Sequence, residues 1–127
     1  MKTRLALAPL CALLLAPLFI AASCSVQSTQ DRLDSTIIAV TDACDAAIAW
    51  ADRNPEYVAA HANIAAEVAK IRKELDGVPD PTETLTKLHL IRDGFLAKKA
   101  TAADVETVIG QSRILLETAR TLIKVSP

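Results

Sequence analysis

LDSTIIAVTDACDAAIAWA, residues 33–51, places apolar side chains at Leu33, Ile37, Val40, Cys44, Ala47 and Ala51. The intervals four, three, four, three, four keep all six on one side of a 3.6-residue helix, so the stretch predicts an amphipathic helix with one buried seam. Asp31, Asp45 and Asp52 fall on one seven-residue register opposite that seam, with Asp42 beside them. A straight helix cannot wrap the six to eight oxygens that calcium takes, so this acidic stripe reads as a solvated face or one that meets a basic partner.

The rest of the chain repeats the pattern between clear stops. Asn54-Pro55-Glu56 ends the first helix and opens a second, because proline at the first helical position gives up an amide that has no partner there. The second seam is Tyr57, His61, Ile64, Val68, Ile71 and Leu75, ending at Gly77 before Val78-Pro79. Asp80-Pro81-Thr82-Glu83 reads as the third start, with Glu83 answering the Asp80 cap. Leu85, Leu88, Ile91, Phe95 and Leu96 form the third stripe. Thr101-x-x-Asp104 opens the fourth helix, whose stripe is Val105, Val108, Ile109, Ser112, Leu115, Leu116, Ala119, Leu122 and Ile123. Short connections between such helices predict an all-α fold, an antiparallel up-down four-helix bundle. Nothing in the sequence reads as a strand.

Composition agrees with helices. Apolar residues make up 51% of the 127, aromatics only 3%, and alanine and leucine dominate. The formal charge is −1; without residues 1–23, which hold Lys2 and Arg4 and no acid, the 14 basic residues become 12 against 15 acidic, net −3. A mildly acidic domain whose aromatics are Trp50, Tyr57 and Phe95 has neither a phosphate-binding stripe nor a stacking platform, which argues against nucleic acid.

Ahead of the helices, Lys2 and Arg4 precede an uncharged apolar run over residues 5–22, followed by Ala21-Ala22-Ser23. This is the layout of a cleaved secretory signal, and Pro9 and Pro17 disfavour a continuous spanning helix. Ala21-Ala22-Ser23-Cys24 resembles the lipobox of bacterial lipoproteins, with Ala21 standing where leucine is usual. The resemblance implies lipidation of Cys24, which becomes the mature N-terminus and anchors the protein to a membrane of the cell envelope. Ser25 beside it matches the pattern that directs enterobacterial lipoproteins to the outer membrane. The division that follows is a signal over residues 1–23, a polar tether over 24–30 and the bundle over 31–127. Two alternatives remain: cleavage after Ser23 to give a soluble periplasmic protein, or retention of the apolar run as an anchor. In the soluble case Cys24 and Cys44 would share an oxidising compartment, yet Cys44 lies ~20 Å along a helix that starts near Thr29.

Several residues are candidates for chemistry. His61 lies on an apolar seam, and with Cys44 and His89 it makes a conceivable metal or haem ligand set. No CxxCH or Glu-x-x-His motif accompanies it, and the one methionine is the first residue. A partly buried, hydrogen-bonded histidine is the competing reading. Arg92 falls inside the third stripe and needs a carboxylate or the bundle rim. Leu90 and Ala97 on the third helix, and Ile114 on the fourth, point away from their seams and form a partner-contact patch if those faces adjoin. There is no Gly-x-Ser-x-Gly elbow, HExxH or glycine-rich phosphate loop. The sequence therefore reads as a non-catalytic helical protein without a cofactor, acting through contact with a protein partner or a second copy of itself.

Overall fold

The computed structural model describes the backbone of residues 17–125 and the side chains of residues 28–125. Within that span the chain is all-helical. Five helices follow one another: α1 (Pro17–Arg53), α2 (Pro55–Ala60), α3 (Ala62–Glu74), α4 (Thr84–Leu96) and α5 (Ala102–Lys124). None of them is long and apolar enough to cross a membrane. The first part of the expected signal, residues 1–16, lies outside the described residues.

The expected seams supply the core. Leu33, Val40, Cys44, Ala47 and Ala51 of α1, Val68 and Ile71 of α3, Leu85 and Leu88 of α4, and Val105, Ile109, Leu115, Ala119 and Leu122 of α5 are buried together. Each large aliphatic side chain so placed is worth about 1.5–3 kcal/mol of hydrophobic stabilisation. Ser112 is buried among them because its hydroxyl donates to the Ile109 carbonyl at 2.6 Å, leaving no orphaned polar group. At the start of α5, Thr101 and Asp104 exchange side-chain and backbone hydrogen bonds as a capping box.

Four expectations are corrected. Residues 24–30 are not a separate tether: α1 is continuous from Pro17 to Arg53, and Ser28 lies inside it rather than at its cap. Neither glycine nor proline interrupts the chain between Pro17 and Asn54, and extending an existing helix is easier than starting one at Ser28. The second expected helix is two, because His61 adopts an extended conformation (φ −125°, ψ 98°) between α2 and α3. A corner there is held by aromatic contacts: Trp50 meets Tyr57 edge-on at 6.0 Å, and Tyr57 stacks on His61 at 4.1 Å. The third helix starts at Thr84 rather than at Pro81, with Glu83 at its N-cap position making no side-chain cap bond.

The fourth correction changes the architecture. Asp34 of α1 pairs with Arg92 late in α4, Nε to Oδ1 at 2.7 Å, while Thr41 shares a groove with Leu85 and Thr86 at the start of α4. α4 therefore runs antiparallel to α1. The link over residues 97–101 reverses the chain again, so α5 runs parallel to α1, and Arg32 accordingly pairs with Glu106 near the start of α5. α3 descends from the corner beyond the end of α1, where Arg72 pairs with Asp52, and finishes beside the start of α4. Consecutive helices α3 and α4 thus point the same way, which an alternating up-down four-helix bundle does not allow. The helices form three rods instead: α1, α5, and a descending arm made of α3 and α4 in series. Two helices of 13 residues give that arm about 40 Å of helix.

The joint in that arm is made by one side chain. The Glu74 carboxylate, on the last residue of α3, accepts from Thr84 N (3.0 Å to Oε2) and Leu85 N (3.2 Å to Oε1) at the first turn of α4. It satisfies amides that a helix start otherwise leaves to water, and its charge complements the positive end of the helix. Glu74→Ala removes both acceptors and is expected to lower stability by about 1–2 kcal/mol in urea unfolding, with Glu74→Gln losing less because the amide oxygen still accepts.

Candidate functional site

The descending arm meets its neighbours in two grooves at the joint, one on each side of α4. Between α3, α4 and α5 lies a groove of about 410 Å³ with Val108, Ile114 and Leu115 as its apolar wall and Lys70, Glu83 and Lys87 on the arm side. Between α1, α4 and the loop over residues 75–83 lies one of about 490 Å³ lined by Thr41, Leu75, Val78, Pro79, His89, Leu90 and Asp93. Leu90 and Ile114 are 57% and 72% exposed and line different grooves, Leu90 the one towards α1 and Ile114 the one towards α5, and Ala97 is exposed after the end of α4. Val78, 64% exposed beside Leu90, was not singled out by the sequence, where it served only as part of a helix stop.

The loop at the joint is densely charged. Asp76 accepts from the Val78 amide, Asp80 accepts from the amide and hydroxyl of Thr82, and Lys73 pairs with Asp80 at 3.2 Å. The bonds from Thr82 and the Lys73 ammonium hold the Asp80 carboxyl down at about 2. Glu83 has the opposite fate. It is buried, and burial together with Asp76, Glu74 and Asp80 pushes its carboxyl above the ordinary range, against the opposing pull of Lys73. Its expected role of answering the Asp80 cap is not realised: the Asp80 amide donates to Thr86 Oγ1 at 3.2 Å, and Glu74 takes the first amides of α4.

The candidate metal ligands do not assemble. Cys44 is fully buried in the α1 seam, and desolvation, with Glu74 and Asp45 nearby, pushes its thiol up to about 12, far from the thiolate that metals bind. His61 is exposed at the α2–α3 break, where its Nδ1 donates to the Tyr57 carbonyl at 2.8 Å, and not on a buried seam. The seam register fails there because the helix itself is broken. His89 is exposed in the α1–α4 groove. Among the described residues no group of three or more His, Cys, Asp or Glu side chains could hold a metal ion. The Cys24 side chain lies outside the described residues. Arg92 finds its carboxylate in Asp34, although the contact is not aligned as a hydrogen bond.

The acidic stripe of α1 is divided between these contacts. Asp52 of that stripe pairs with Arg72, Asp31, Asp42 and Asp45 are exposed with no ion pair among the described residues, and Asp34, outside the stripe, pairs with Arg92. Glu74 left a trace in the sequence that only the fold explains. An acid in the last turn of a helix opposes the helix dipole, so its place there makes sense once its charge serves the next helix. The chain matches no family model, no curated protein and no solved structure.

Two measurements follow from the titrating groups. Cys44 is expected to resist a thiol reagent in the native protein and to react fully in denaturant. Glu83 takes up its proton at a higher pH folded than unfolded, so its contribution to stability falls as pH rises through its folded range. Glu83→Gln should therefore raise the melting temperature at pH 7 and leave it nearly unchanged near pH 3, where both side chains are neutral.

Proposed function

We propose that this chain is a lipid-anchored protein of the bacterial cell envelope, an outer-membrane lipoprotein facing the periplasm, that works non-catalytically by contact with another protein. The observation that carries the reading is the position of Cys24. A basic start, an uncharged apolar run and small residues lead up to it, and the first buried side chain among the described residues is Leu33. The nine residues from Cys24 to Arg32 continue α1, so the anchor would be joined to the bundle by about 14 Å of helix rather than by a loose leash. A helical stalk fixes the height of the bundle above the lipid, which suits a protein that meets a partner at a set distance.

The protein-contact half of the reading is supported by the exposed apolar residues. Ile38, Val78, Leu90 and Ile114 are large, exposed and spread over the flanks of the descending arm. No observation favours the metal or haem alternative, given where Cys44, His61 and His89 lie.

Growth with a clickable palmitate analogue tests the anchor. The wild-type protein should take the label and partition with membranes, and Cys24→Ala should lose both. A wild type without label, or label undiminished in Cys24→Ala, overturns the proposal in favour of a soluble periplasmic protein.

A further inference from the structure

The groove between α1 and α4 differs in charge from the rest of the arm. Its titratable lining residues are Glu74, His89 and Asp93, and neither lysine nor arginine lines it. Glu74 is occupied by the amides of α4. Thr41 lines it from α1, and exposed Asp45 stands one helical turn beyond Thr41 on the same face, so an acid flanks the α1 wall. The cations nearest in sequence on the arm are engaged: Arg92 faces Asp34 at one end, Arg72 faces Asp52 at the other, and Lys73 faces Asp80. The apolar part is equally defined. Val78, Pro79 and Leu90 form an exposed ridge over the gap, and exposed Ile38 lies one turn before Thr41 towards the Asp34 pair.

The opening has a structural origin. An unbroken descending helix would lay side chains along α1 from Asp52 to Asp34. The arm is instead two helices in series, and the loop over residues 75–83 leaves the stretch of α1 around Thr41 uncovered between the two ion pairs. Building on the protein-contact reading above, we infer that this notch docks a basic amphipathic segment of a partner protein, with one apolar side chain seated against Val78 and Leu90 and flanking Lys or Arg residues reaching Asp45 and Asp93. Charge complementarity selects this occupant: an acidic or neutral segment could fill the apolar gap but would leave Asp93 in the groove and Asp45 at its edge without a counter-charge.

The probe is an amphipathic helical peptide of leucine and lysine, about 14 residues long, or four turns. A peptide with glutamate in place of lysine serves as its counterpart. Each is titrated into the purified full chain while methyl and amide resonances are followed by NMR. The expected result is saturable binding of the lysine peptide with the largest shifts at Val78, Leu90 and Thr41, weakening as salt screens the acids. Asp45→Lys with Asp93→Lys should weaken it about ten-fold or more, as should Leu90→Asp, whereas Glu117→Lys on the exposed face of α5 should change it little. Circular dichroism of each variant checks that the helices persist. Equal binding of the glutamate peptide, shifts centred elsewhere, or insensitivity to the groove variants overturns the inference. So does a dimer in sedimentation that covers Leu90 and shuts the peptide out, which assigns the notch to a second copy. Palmitate labelling reads the anchor independently, so a labelled protein that ignores the peptide retains its anchor and loses only this groove.

Discussion

Everything distinctive about this fold depends on the carboxylate of Glu74 reaching the first amides of α4. Helix ends are costly to bury because their backbone groups lack partners, and here the end of one helix abuts the beginning of the next. A side chain from α3 supplies the acceptors that α4 lacks, and the negative charge, poorly placed at the end of its own helix, becomes well placed at the start of another. With that link the two short helices act as one rod. Neither has the length to be stable alone, since isolated helices of about a dozen residues are marginal in water, so both depend on the packing that the link permits.

The parts of the fold visible in the sequence are those set by periodicity. The seams from Leu33 to Ala51 and from Val105 to Leu122 name most of the core, because burial follows the helical period and little else. The stops at Asn54-Pro55 and Gly77, and the capping box at Thr101, were visible for an equally local reason: their chemistry is complete within four residues. The directions of the helices were not visible. An up-down bundle follows from short connections only when each connection turns the chain back, and the loop over residues 75–83 carries it onward instead. Its course is settled by Glu74, Asp80 and Glu83 acting across the joint, and no local pattern shows which carboxylate wins the amides of α4. His61 was misplaced for a related reason. Its spacing from Tyr57 and Ile64 is helical, yet stacking on Tyr57 and the bond to the Tyr57 carbonyl stabilise a break at that residue.

The ion pairs between α1 and its neighbours have a different kind of role. Arg32–Glu106, Arg72–Asp52 and Arg92–Asp34 are substantially exposed, and such pairs add little to stability. Their positions matter more than their strength. They fix which part of α1 faces the end of α4, the end of α3 and the start of α5, and so hold the register of rods whose small aliphatic cores would permit sliding. Alanine-rich seams allow close approach but offer few large side chains that interlock, which makes register a task for polar groups at the rim.

Partners act with least expense in stability on segments held mainly by polar bonds, and the loop at the joint is such a segment. The loop is held by turn bonds and surface charges rather than by buried side chains, and it carries a buried carboxylate, Glu83, whose charge works against the fold at neutral pH. Local opening draws on regions of this kind, with few apolar contacts and exposed backbone. A ligand seated between α1 and the loop would contact both halves of the descending arm at once and would favour the closed joint by whatever affinity it has for that state over the open one. The same break that interrupts the helical seam therefore makes the notch, supplies its apolar ridge, and leaves it responsive to what binds there.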